Sequence, residues 1–337
     1  DSNDIVRFGL LDVGHTFPGI AIKHSTALIR RNRVHTSRVH GVFVSMGSKA
    51  IIEHNAISHV LGGITAAAHS HIVAIGNDLK NNTDIGVFVS NHSSAELRRN
   101  TITRCLMGGV FAVNDSLVTL HQNQVEDTQE AGVLIGRGSK ALVIANHVSN
   151  SKLAGVEIHS EAFVVMRHNV LTAGRGRGVV VYNNASARIE ANSLLSTASV
   201  GLVVRSIVPS AVRRNELRGG GAAGVVVGRQ GRAVVEDNIV HNNEAAALVV
   251  LSNAFALLRG NDVVGEGHPG ISVGPGALVR IDHNSLAKTL GVHIVEGAEV
   301  LDVGGNDNPM GQHIAADSIF MAQDNDTSIL HDVQRAK

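Results

Sequence analysis

The chain has 337 residues, 44% of them apolar, with 29 basic and 29 acidic side chains and a formal net charge of zero. That balance speaks against nucleic acid as a partner, and no apolar run is long enough to span a bilayer. One cysteine, Cys105, excludes an internal disulfide and fits a reducing compartment. The chain opens at Asp1 with no signal-peptide pattern, so the expectation is an intracellular protein, cytoplasmic or cytoskeletal. Aromatic residues are only 3%, with no Trp and one Tyr, which suits a narrow core of Val, Ile, Leu and Ala.

Residues 1–18 precede any clear register and read as an N-terminal segment or cap. From residue 19 a repeat takes over. Its marker is an asparagine: Asn32, Asn55, Asn77, Asn100, Asn123, Asn146, Asn169, Asn192, Asn215, Asn238, Asn261 and Asn284. Every step is 23 residues except Asn55 to Asn77, which is 22. Fourteen residues before most of these stands a glycine leading an apolar alternation, as in Gly41-Val-Phe-Val, Gly132-Val-Leu-Ile and Gly178-Val-Val-Val; Ala247 replaces the glycine once. Period-two alternation is strand periodicity. A second strand runs up to each asparagine with an aliphatic residue three before it (Ile52, Leu97, Val143, Ile189), and a third follows with one two after it (Ile57, Ile102, Val148, Leu194). Gly291 opens a further turn whose Asn306 is one residue off the period, and residues 307–337 read as a degenerate last turn, led by Gly311, and a tail.

One such unit cannot bury its apolar face, but stacked units share a continuous core. Three short strands per turn, stacked in parallel, make an all-β, right-handed, single-stranded parallel β-helix over residues 19–306, with about 12–14 turns of roughly 23 residues. At roughly 4.8 Å per turn the rod is on the order of 60 Å long. The asparagines read as a structural ladder, their amides bonded along the rod and the residues placed in the left-handed backbone region at a tight corner. Neither end shows a capping helix, so the tails or other protein should cover the open edges.

The outer row of the glycine-led strand is where β-helix enzymes carry their chemistry. Here it includes Phe43, Phe88, Phe111, Leu134, Val180, Val203, Val226 and Val249. A contiguous apolar stripe should be covered, so these eight residues are candidates for binding a protein partner. Glu157 with His159 is the one polar pair in mid-stack and the candidate for catalysis, with no Arg or Lys beside it in that row. Hydrolysis needs two carboxylates, and the row offers one. The position two before each asparagine alternates in sign, Arg167, Glu190, Arg213, Glu236, Arg259, Asp282, and reads as a solvated charge ladder. His69-Ser-His71, with His54 and His59 a turn earlier, lacks a completing carboxylate or thiolate, so no metal and no cofactor is expected.

The run Gly86-Val-Phe-Val-Ser-Asn-His-Ser-Ser-Ala-Glu-Leu-Arg-Arg-Asn-Thr-Ile resembles the parallel β-helix repeat family, the carbohydrate-binding and sugar-hydrolase repeats. It looks most like the β-helix of F-box substrate receptors. The resemblance covers about residues 19–306 and implies the fold far more than the function. No F-box segment is present. Polygalacturonase-like members carry paired aspartates with Gly-His-Gly and Arg-Ile-Lys; here only Gly267-His-Pro-Gly and Arg280-Ile-Asp stand as faint echoes. Alginate-epimerase-like members carry Tyr-Gly-x-Asp-Pro-His, which is absent, and Tyr182 is the one tyrosine. The resemblance therefore transfers no catalytic residue. The resulting expectation is a non-enzymatic scaffold or protein-binding subunit of a larger assembly. The alternative is a polysaccharide lyase, epimerase or hydrolase with an unrecognised site, and carbohydrate stays a candidate ligand.

Overall fold

A computed structural model describes residues 3–6, 18–172 and 174–306. Three sheets of thirteen parallel strands each wrap one core. The glycine-led sheet runs from Ile20–Lys23 to Val292–Ile294. The sheet before the asparagines runs from Thr26–Arg30 to Glu299–Gly304, and the sheet after them from Asp4–Val6 and Arg33–His35 to Ser285–Ala287. Each strand pairs with its equivalents one turn before and one turn after, so the fold is a right-handed parallel solenoid. No helix occurs among the described residues.

Alternation sorts the side chains as expected. Val42 and Val44, Val87 and Val89, and Val179 and Val181 point inward from the glycine-led strands and have no exposed surface. Ile52, Leu97 and Ile189 come in from the second sheet, and Ile57, Leu79 and Ile102 from the third. Each such side chain contributes about 1.5–3 kcal/mol by burial. The leading glycine is there because the turn leaves no space: a Cβ at Gly155 would stand 2.8 Å from both the Gly178 carbonyl oxygen and Leu171 Cδ2.

The asparagines form a continuous ladder. In mid-stack, Asn169 donates from its backbone N–H and its Nδ2 to Asn192 Oδ1, each at 2.9 Å, and from Nδ2 to the Val143 carbonyl at 2.8 Å. Each rung from Asn32 to Asn284 is at most 4% exposed. The ladder is longer than the repeat suggested, since Asn3 donates to Asn32 and Asn284 donates to Asn306. Thus Asp4–Val6, inside the expected N-terminal segment, pairs with Arg33–His35 as a turn of the solenoid.

One expectation is corrected. The asparagines do not take the left-handed backbone conformation. The residue before each of them does, with φ of 52 at Arg99, 53 at Ala145 and 53 at Ala191; Gly76 and Gly260 fill the place in two turns. The preceding residue makes the bend, and the asparagine fastens it. The charge ladder forms ion pairs between Arg167 and Glu190 at 3.0 Å, Arg213 and Glu236 at 2.9 Å, and Arg259 and Asp282 at 3.7 Å. The degenerate turn and tail of 307–337 lie outside the described residues.

Candidate functional site

Three positions of each glycine-led strand reach the outer face: the residue before the glycine, the second after it and the fourth after it. The second-position row behaves differently from the expected stripe. Val180, Val203, Val226 and Val249 are buried, Phe111 is 9% exposed, and Phe43, Phe88 and Leu134 are half-buried. The four valines pack with Ala154 and Ala223, flanked by Tyr182, Val200, Ala246 and Leu251, into a small apolar cluster of their own. The chain covers this stretch itself, because small residues on one flank and long ones on the other close over valines of modest height. Exposed apolar side chains such as Leu28, Ile51 and Leu142 lie instead on the sheet before the asparagines.

Glu157 interrupts the row. Register sets it between Leu134 and Val180, and sets Arg177 beside Ala154 and Arg205 beside Tyr182. The fourth-position column therefore reads Gly136, His159, Tyr182, Arg205, Gly228 over five turns. The His159 and Tyr182 rings stack, with centroids 5.3 Å apart and planes at 23°. His159 leans back over Gly136, where a Cβ would come within 2.5 Å of its Cε1. Arg205 leans forward over Gly228, where a Cβ would collide with its Cγ. The two glycines thus make room for the outermost side chains of a polar row. All of Glu157, His159, Arg177, Tyr182 and Arg205 are half-buried.

The electrostatics are distinctive. Burial, and next the Arg137 guanidinium, push His159 down to about 4, so its imidazole is neutral at pH 7. Its Nδ1 lies 2.9 Å from Ser160 Oγ, which leaves Nε2 as the second ring nitrogen. The site then holds a neutral imidazole, a phenol, one carboxylate and three guanidiniums, those of Arg137, Arg177 and Arg205. Such a set can move a proton and neutralise an anionic group.

The expectation of no Arg or Lys beside Glu157 holds only within its own row. It followed one column only, and the arginines and Tyr182 stand in the flanking columns. The same period applied two residues further along would have found Tyr182 and Arg205. Elsewhere His69 stacks on His92 at 5.1 Å, and His71 Nδ1 lies 2.8 Å from Ser94 Oγ. Among the described residues no group of three or more metal-ligating side chains occurs. Cys105 is buried and its thiol is pushed up to about 11, which makes it unreactive.

A model of the right handed beta helix region matches residues 13–146 and 108–263, and the chain belongs to that family. Among solved structures it is similar to the A-module of the mannuronan C-5 epimerase AlgE4 of Azotobacter vinelandii. There the TM-score is 0.60 and the identity 13%, over 83% of this chain and 91% of that one. The AlgE6 A-module of the same organism gives 0.52 at 13%, over 85% and 91%. The periplasmic alginate epimerase AlgG gives 0.54 at 10%, over 82% and 76%. At such identities the likeness is one of fold. No curated protein matches the sequence. The expectation of a non-enzymatic scaffold is corrected by these neighbours, which are named as mannuronan C-5 and alginate epimerases.

Proposed function

We infer that the chain is an enzyme acting on an acidic polysaccharide, removing the proton at C-5 of a uronate unit on the face around Tyr182. The observation that carries this reading is the stacked His159–Tyr182 pair set among Glu157, Arg137, Arg177 and Arg205 on consecutive turns. Similar folds named for C-5 epimerisation of mannuronan support it. The narrower resemblance to F-box substrate receptors has only the repeat consensus behind it.

The chemistry follows from the groups present. The C-5 proton of a uronate is acidified by its carboxylate once a cation neutralises that charge, and the guanidiniums of Arg177 and Arg205 supply the cation. His159 is neutral, and with its Nδ1–H donating to Ser160 Oγ its Nε2 offers a lone pair for the proton. An anionic substrate beside it raises its basicity again, so the base strengthens when the site is filled. Glu157 accepts hydrogen bonds from sugar hydroxyls. The Tyr182 phenol donates a proton, either to C-5, giving the epimer, or to the departing O-4, giving an unsaturated ring.

The test is incubation of the full chain with polymannuronate, polyguluronate and polygalacturonate in heavy water. Deuterium at C-5 is followed by NMR and the unsaturated product by ultraviolet absorbance. Either signal, lost in Tyr182→Phe, supports the reading. Absence of both on all three polymers overturns it.

A further inference from the structure

Four turns from Glu157 towards the Asn32 end, ~19 Å along the same face, the outward side chains change size abruptly. The turn of Gly63 presents Gly62, Thr65 and Ala67, whereas its neighbours present His40 and Phe43 on one side, and Ile85 and Phe88 on the other. Register sets Thr65 directly between Phe43 and Phe88. The result is a notch one turn wide, a pocket of about 220 Å³. The backbone contributes too: eight residues separate Asn55 from Gly63, where nine separate Asn32 from Gly41 and Asn77 from Gly86.

Polar groups line one side of the notch. The His40 ring lies across Gly62, where a Cβ would come within 2.5 Å of Nδ1, and that nitrogen is 3.0 Å from Thr65 Oγ1. Asp84 lines the pocket with it, held by its backbone N–H donating to the Leu61 carbonyl at 2.8 Å. Phe43 and Phe88 stand two turns apart, ~9.6 Å of strand spacing, which admits one saturated ring in contact with both.

We propose that this notch binds a single neutral pyranose unit, its apolar ring face between Phe43 and Phe88 and its hydroxyls on Asp84, His40 and Thr65. Phenyl walls beside a carboxylate, an imidazole and a hydroxyl suit a ligand with a C–H face and an edge of hydroxyls. A uronate is disfavoured because no Lys or Arg lines the pocket to neutralise its carboxylate. A simple cation is disfavoured because burial raises the pKa of Asp84 and so opposes its charge. The inference goes beyond the uronate chemistry around Tyr182 and stands without it.

Saturation-transfer NMR on the full chain tests this, with methyl glucoside, methyl mannoside and methyl galactoside as probes, and glucuronate and benzyltrimethylammonium as contrasts. The expected result is transfer to the ring protons of at least one methyl pyranoside. It should be lost in Thr65→Phe, which fills the notch with the side chain its column neighbours carry, and weakened in Asp84→Asn. Ala67→Leu provides a second filling if Thr65→Phe does not fold. No transfer to any neutral pyranoside overturns the proposal. So does transfer that survives the filling, or a filling-sensitive signal from glucuronate or the ammonium probe. Thr65→Phe keeps C-5 deuterium exchange on uronans, so loss of one activity without the other tells which of the two readings has failed.

Discussion

Two rows run along this rod with the same period and opposite characters. The asparagine row repeats one side chain from Asn32 to Asn284, buried at every step and bonded each time to the next asparagine. The outer column of Gly136, His159, Tyr182, Arg205 and Gly228 has no two neighbours alike over five turns. A solenoid demands uniformity where neighbouring turns must fit, because each turn is stabilised by the next. It demands none on an outer face. Sustained identity therefore marks structure here, and the cluster of dissimilar polar residues within the period is where the proposed chemistry lies.

The largest effect should come from the dissimilar row. Tyr182→Phe is expected to lower C-5 exchange roughly 10³-fold and leave the urea midpoint unchanged. A fall in stability with no fall in rate would place Tyr182 with the structural rows. The uniform row should answer the other way. Asn169→Ala removes the Nδ2 donor to Asn192 and Val143, keeps the backbone N–H bond to Asn192, and strips Asn146 of its acceptor. It should cost ~3 kcal/mol in a urea titration.

Gly136→Ala sharpens the contrast, since the new Cβ would displace the His159 ring. A displaced catalytic ring costs roughly 10–100-fold in rate, and the melting temperature should hold. Acid provides a fourth test. The His159 value is about 4 when folded against 6.5 for an ordinary histidine, so the unfolded chain binds the extra proton between them. Its stabilising contribution is complete above pH 6.5 and is lost as pH falls through about 4, and kcat/KM of the free enzyme should show an acid limb near the same value. His159→Gln should flatten that part of the stability profile. The smallest effect belongs to the charge ladder. Arg167→Ala breaks a half-exposed pair with Glu190, and a loss below ~1 kcal/mol is expected.

The period made the fold legible, because Gly41, Val42, Val44, Ile52 and Asn55 recur in register and each recurrence has one packing explanation. The bend was misassigned because the residue before the asparagine varies from Arg31 to Ala145 to Gly260. Its left-handed backbone is imposed by the corner and is invisible in its chemistry. The site was legible only in part. Glu157 and His159 stood out as polar residues in an apolar row. Their partners Arg177, Tyr182 and Arg205 lie on later turns in flanking columns, where the sequence separates what stacking joins. The buried valines were misjudged because outward direction was equated with exposure. Val180 and Val203 point outward and pack with Ala154, Ala223, Val226 and Val249, flanked by Tyr182 and Val200.

The ladder has one more property. Every rung donates to the carbonyl oxygen of the next rung towards Asn306, and none donates the other way. The amide dipoles therefore align head to tail and polarise one another along the whole stack. Among the described residues, the Asn3 end terminates in an acceptor oxygen and the Asn306 end in N–H donors. The rod has a chemical arrow as well as a chain direction. An added repeat would have to bring an N–H to one end and a carbonyl to the other, so a unit built for one end would not seal the opposite one.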